Sequence, residues 1–270
     1  MIFINWGIEA RKWQLLVRMI QPISFYMAFK GVLSGVALSI NTPNRVGEYG
    51  GRILFINEGN RLKAISLSIA GSISQLIITL FMGSFGLIYL LITINPLTES
   101  IMGLSFLWIK MLIYISLLSG VIFLLFFFRL AYLLKVIDRM HLFNKFRYFI
   151  DTLEKFSAKL LLRLLSLSFF RYLIFVIQYN ILMSVLNVHI SFIAAFWAIS
   201  VLYLVLAIIP SIAIAELGIR GKFSVALLSI YSSNIIGIMG SSFGIWFINL
   251  FIPAITGSLF ILSNRFFKEK

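Results

Sequence analysis

Residues 64–94 read AISLSIAGSISQLIITLFMGSFGLIYLLITI and contain no charged side chain. An α-helix rises about 1.5 Å per residue, so about 20 such residues cross a hydrocarbon core about 30 Å thick. The Ser, Thr and Gly scattered through the run are the small residues that let membrane helices approach closely. The stretch is expected to cross a membrane once, ending near Tyr89.

Similar apolar runs recur along the chain, at residues 107–128, 170–188, 190–209 and 223–262. The last is expected to be two helices parted near Gly240-Ser241-Ser242, with Pro253 inside the second. Upstream, residues 21–40 read as one further helix that stops at Asn41-Thr42-Pro43, because proline ends or kinks a helix there. Of the 270 residues 61% are hydrophobic and only 12% charged, against about 25% charged in soluble domains. A water-soluble fold is excluded.

The fold class is therefore all-α: a polytopic transmembrane helical bundle. It is expected to have roughly six or seven crossings, plus two Pro/Gly-interrupted helices, re-entrant or broken, related by an internal repeat. Residues 1–270 form one transmembrane domain, with halves 1–128 and 169–270 joined by a basic segment, 129–168. The excess of Lys and Arg puts that segment, and the tail with Arg265, Lys268 and Lys270, on the cytoplasmic side. Within it Leu142, Phe146, Phe149, Ile150, Leu153 and Leu160 recur at helical spacing opposite Lys145, Arg147, Asp151 and Glu154, the pattern of an interfacial amphipathic helix.

The formal net charge is +14. The basic residues sit mostly between apolar runs, where they set topology and meet anionic lipid headgroups, so no nucleic-acid partner is expected. There is no cysteine, and the two histidines, His141 and His189, lie far apart in sequence. Neither a disulfide nor a metal centre is expected, and no motif calls for a cofactor.

Chemistry is expected where charge interrupts the apolar runs. Only nine carboxylates exist in the chain, and an ionisable residue among membrane-embedded segments is a functional candidate by default. Glu48 lies in Pro43-Asn44-Arg45-Val46-Gly47-Glu48-Tyr49-Gly50-Gly51-Arg52. Glu216 lies in Pro210-Ser211-Ile212-Ala213-Ile214-Ala215-Glu216-Leu217-Gly218-Ile219-Arg220. Each stretch is a proline, then a glutamate, then an arginine four residues further on, and on a helix that spacing puts the pair on one face. Two interruptions of this kind in the two halves are the trace expected of a transporter-type repeat with its site at the repeat interface.

Arg45, Arg52 and Arg220 would clamp a phosphate, because the guanidinium fork matches its oxygens bidentately. The expected substrate-binding set is Arg45, Glu48, Arg52, Glu216, Arg220 and Asn249, with no catalytic residue. Blander readings stand beside it. Arg45, Arg61 and Lys63 also read as topology anchors, and Asn180, Asn234, Gln75 and Gln178 as amides that hold helices together. Gly31, Gly35, Gly71, Gly237 and Gly244 read as close-packing positions.

The segments NTPNRVGEYGGRILFINEGNRLKA from Asn41, IPSIAIAELGIRG from Ile209 and WFINLFIPAITGSLFIL from Trp246 resemble the lysylphosphatidylglycerol synthase transmembrane-region family of flippase-like proteins. The resemblance spans essentially the whole chain. It implies a bacterial inner-membrane protein related to the domain that moves aminoacylated phospholipid between leaflets, without the soluble aminoacyl-transferase domain. Relatives in that family carry more helix before a stretch like Asn5-Trp6-Gly7-Ile8-Glu9-Ala10-Arg11-Lys12-Trp13, so the chain is expected to lack a first helix and part of the second.

The function expected is that of a flippase or transporter for an anionic or aminoacylated phospholipid or a lipid-linked phosphate. Two alternatives come from other classes. One is an integral-membrane lipid transferase using a glutamate as general base; the other is a membrane scaffold for an envelope-lipid enzyme, docking through the amphipathic segment.

Overall fold

A computed structural model describes residues 1–94, 105–139 and 156–268, and no strand occurs among the described residues. Ten α-helices are named here in chain order: α1 Ile2–Val17, α2 Phe25–Ser39, α3 Gly47–Ile53, α4 Arg61–Thr93, α5 Phe106–Arg139, α6 Ala158–Val185, α7 Phe192–Ile208, α8 Ala213–Leu228, α9 Ile235–Trp246 and α10 Ile252–Lys268. Among the described residues, four segments are long and apolar enough to cross a membrane: Glu58–Thr93, Phe106–Arg129, Ala158–Val185 and Ile235–Ser263. Phe25–Ser39 and Phe192–Ile208 are apolar but shorter.

Local sequence explains where several helices start. The hydroxyls of Ser24, Ser157 and Ser191 accept hydrogen bonds from the Met27, Leu160 and Ala194 N–H groups, and the Asn234 side chain accepts one from Gly237. Each satisfies a donor that the first helical turn cannot satisfy itself. Along α4 the hydroxyls of Ser68, Ser72 and Ser84 donate back to carbonyls four residues earlier, which lets a serine-rich helix lie among apolar neighbours.

Helix α4 is the hub, packing against α1, α3, α5, α6 and α7. Two large apolar clusters flank the centre. One joins Leu80, Leu90, Tyr172, Ile199 and Leu227 with Ile245 on α9. The other joins α1 and α2 to the C-terminal helix through Trp6, Trp13, Val32 and Ala254. Hydroxyl pairs stitch the helices across these clusters: Ser84 with Ser116 at 2.6 Å, Ser74 with Ser168 at 2.8 Å and Tyr179 with Ser224 at 2.8 Å.

Glycine sets the closest contacts, as expected at Gly31, Gly35, Gly71, Gly237 and Gly244. A Cβ on Gly35 would lie 2.7 Å from the Glu48 carbonyl oxygen, and one on Gly237 would lie 2.6 Å from that of Leu186. The same is true of Gly47 and Gly51 on α3, where an added Cβ would overlap backbone atoms of Leu38 and Ser34 on α2. Helix α3 thus lies backbone to backbone on α2.

Four sequence expectations change. The N-terminal stretch before residue 21, which the apolar runs do not include, is a 16-residue helix, α1, buried along most of its length. The basic segment 129–168, expected to join the two halves, is entered by helices from both sides, since α5 runs to Arg139 and α6 begins at Ala158; basic residues need not end a helix, because their long stems reach to water. Residues 140–155, which hold most of the expected amphipathic helix, lie outside the described residues. The break expected at Gly240-Ser241-Ser242 falls instead at residues 229–234. The glycine and serines there continue the helix, Ser241 and Ser242 being buried.

The last change concerns the second interruption. Its non-helical part is confined to residues 209–212, and Glu216 and Arg220 ride on an ordinary 16-residue helix. The first interruption differs: a 3₁₀ turn, Pro43–Arg45, leads into the seven-residue α3.

Candidate functional site

The two proline-containing interruptions meet. The Asn44 N–H donates to the Ser211 carbonyl at 3.1 Å, and Arg45 Nη2 lies 2.9 Å from Glu216 Oε2. Asn44 and Arg45 both hold left-handed backbone, φ 50° and 57°, which costs a non-glycine residue about 1–2 kcal/mol. That strained turn carries Arg45 toward α8, and strain of this kind gathers at functional positions. The Thr42 hydroxyl braces the turn from the other side by accepting from the Gly47 N–H at 2.8 Å.

Both predicted Glu/Arg pairs form on their helices: Arg52 to Glu48 at 3.0 Å and Arg220 to Glu216 at 2.7 Å. Neither is self-contained. Glu216 is shared between Arg220 and Arg45, one oxygen each. Arg52 also reaches Glu9 on α1 at 2.9 Å, and Glu9 in turn pairs with Lys12 at 2.9 Å and Arg171 at 3.1 Å. The close approach of α3 to α2 at Gly51 is what brings Arg52 within reach of α1. Glu9, Lys12 and Arg52 are all buried, so these charges hold one another in place of water.

Amides extend the network. Asn5 Oδ1 accepts from Arg171 Nε at 2.9 Å, while Asn5 Nδ2 donates to Asn249 Oδ1 at 3.0 Å. Asn249 sits in a π-helical turn, Phe247–Phe251, just before Pro253; such turns reorient side chains and are frequent at functional sites. The guanidinium of Arg171 lies between the rings of Trp6 and Phe175, 5.2 and 5.1 Å from their centroids, a favourable setting for a desolvated cation.

Between the two ionic groups is a cavity of about 240 Å³. Arg45, Arg171, Arg220 and Glu216 line it, together with Asn249, Gln75, Thr79, Tyr172 and Tyr203, and its apolar wall includes Trp6 and Trp246. Arg220 is only 6% exposed. Its Nη2 is spent on Glu216, its guanidinium lies 5.7 Å from the centre of the Tyr203 ring, and Nε and Nη1 are closed off from water. The side chain of Arg45 is 37% exposed, which places it at the mouth.

Of the six residues expected from sequence, Arg45, Glu216, Arg220 and Asn249 line one cavity, whereas Glu48 and Arg52 stand behind it in the ionic group around Glu9. Arg45, read also as a topology anchor, is paired to Glu216. Asn234 does hold helices together, donating to the Leu186 and Asn187 carbonyls, and Asn180 donates to its own helix at Val176.

Sequence reasoning missed Asn5, Glu9, Lys12 and Arg171. The available signal was Glu9 and Lys12 at i, i+3 between Trp6 and Trp13, charges inside an otherwise apolar helix. Compared with family models, with curated proteins and with solved structures, the chain matches none of them.

Proposed function

We propose that this chain is a lipid-handling membrane protein of the flippase or transporter type, acting on a phosphate-bearing lipid, anionic or aminoacylated. The observation that carries the reading is a cavity lined by three guanidinium groups, Arg45, Arg171 and Arg220, with Glu216 as the one carboxylate among its lining residues. Guanidinium is the side chain best shaped to bind phosphate oxygens in pairs. The space is below the ~300–1,000 Å³ of pockets that enclose whole drug-sized ligands. It therefore suits a headgroup, with the hydrocarbon tails left in the bilayer.

In this reading Glu216 holds Arg45 and Arg220 beside the cavity, and the phosphate docks among the three guanidinium groups that line it. The docked interruptions at Asn44 and Ser211 are the place where one half moves against the other and alternates access to the site. The resemblance to the lysylphosphatidylglycerol synthase transmembrane region supports the same reading, and with it a bacterial inner membrane and a cytoplasmic segment 129–168.

The test is a proteoliposome leaflet-exchange assay with headgroup-labelled lipids, comparing the parent chain with Glu216→Gln and Arg220→Ala. Exchange by the parent, slowed at least about tenfold in Arg220→Ala by loss of one charged hydrogen-bonding group, is the expected result. Well-folded protein that exchanges no lipid would sink the transport reading. A change in the mass of the lipid would point to the transferase instead.

A further inference from the structure

The ionic groups on the two sides of the cavity do not balance. Among the described residues, Lys12, Arg52 and Arg171 on one side pair with Glu9 and Glu48 alone. On the other, Arg45 and Arg220 share Glu216. Each group is left with one positive charge in excess. Both excesses border the same space, since Arg171 lines it from the first group and Arg45 and Arg220 from the second.

An uncompensated charge away from water is costly, and buried ions persist where a counter-charge meets them. Arg171 and Arg220 both line the space and are largely shut off from bulk water, their side chains 13% and 8% exposed, so a counter-charge for them belongs in the cavity.

We infer that the cavity is built for a dianionic phosphate monoester, one negative charge for each excess cation, rather than for a phosphodiester or an aminoacylated headgroup. This rests on the reading above that the cavity takes a phosphate-bearing lipid, and it narrows the substrate class. A monoester whose second ionisation lies near about pH 6 carries close to two charges at about pH 8, whereas a diester carries one. A lysyl ester brings ammonium groups of its own into a space that already has surplus positive charge. A monoester phosphate also offers three terminal oxygens to guanidinium donors, where a diester offers two.

The experiment uses the full chain in detergent at about pH 8, reading dissociation constants from intrinsic fluorescence, since Trp6 and Trp246 line the cavity. The probes are short-chain glycerolipids with identical tails, ending in a phosphate monoester, a glycerol phosphodiester or its lysyl ester, and inorganic phosphate as the tail-less arm. The expected order is monoester tightest by at least about tenfold over the diester, from the added charge beside guanidinium, and the lysyl ester weakest. Arg220→Lys and Arg45→Gln weaken the monoester more than the diester. Arg61→Gln, whose pair with Glu58 is on the surface, leaves the order unchanged.

Diester or lysyl ester binding as tightly as the monoester overturns the inference and leaves the lipid reading standing. Inorganic phosphate binding as tightly as the lipid monoester upholds the dianion site and removes the lipid reading. No binding by any probe to protein that melts cooperatively overturns both.

Discussion

Glu9→Gln is the substitution that best exposes how the core is held, because it keeps shape and removes only charge. Glu9 is 4% exposed and meets three cations, Lys12 at 2.9 Å, Arg52 at 2.9 Å and Arg171 at 3.1 Å. At an effective dielectric near 20 each contact is worth about 4 kcal/mol of Coulomb attraction, and desolvation of the ions offsets most of the sum. What the variant loses is the net balance. Lys12, Arg52 and Arg171 are left facing Glu48 alone, and breaking a buried pair this way costs about 3–5 kcal/mol. Against a total stability of about 5–15 kcal/mol, that is a large share.

The assay is unfolding in mixed micelles with increasing dodecyl sulfate, extrapolated to none, with Glu58→Gln as reference. Glu58 pairs with Arg61 at the surface with its own side chain 87% exposed, so that change should stay within about 0.5 kcal/mol. Adding Lys12→Met to Glu9→Gln should recover at least about 1 kcal/mol, since it removes the orphaned cation. A Glu9→Gln variant that loses less than about 1 kcal/mol, or a double variant no better than the single, would refute the argument that these ions hold α1 in the bundle.

Two further outcomes follow from the backbone. Gly51→Ala sets a Cβ against the Ser34 carbonyl and the Gly35 nitrogen, atoms that cannot step aside, and should cost about 1–3 kcal/mol in the same unfolding assay. Asn44→Gly, at φ 50°, should match or exceed the parent in stability, whereas the β-branched Asn44→Val should lose about 1–2 kcal/mol. Equal melting of the glycine and valine variants would show that the left-handed turn before Arg45 is not held.

Much of this molecule is legible along the chain because the signals are local. Charge-free runs longer than a bilayer is thick mark membrane-crossing helices whatever they pack against, and residues 64–94 became α4 with its end displaced only from Tyr89 to Thr93. The Glu48/Arg52 and Glu216/Arg220 pairs were readable for the same reason, since four residues is one helical turn. Where local signals conflicted the reading slipped: Gly240-Ser241-Ser242 looked like a break, yet small residues there serve contact with α6, Gly244 lying against Leu182.

The site itself was a tertiary decision. Arg45 finds Glu216 across 171 positions and Asn5 finds Asn249 across 244, separations at which no spacing rule operates. Glu9 reads in sequence as one carboxylate near an end of the chain. It becomes the centre of an ionic group only when α3, drawn onto α2 through Gly47 and Gly51, delivers Arg52 and α6 delivers Arg171. Periodicity and hydropathy determine which segments leave water. Which charges then face one another is set by how closely the helix backbones can approach, and that depends on the shape of the whole bundle.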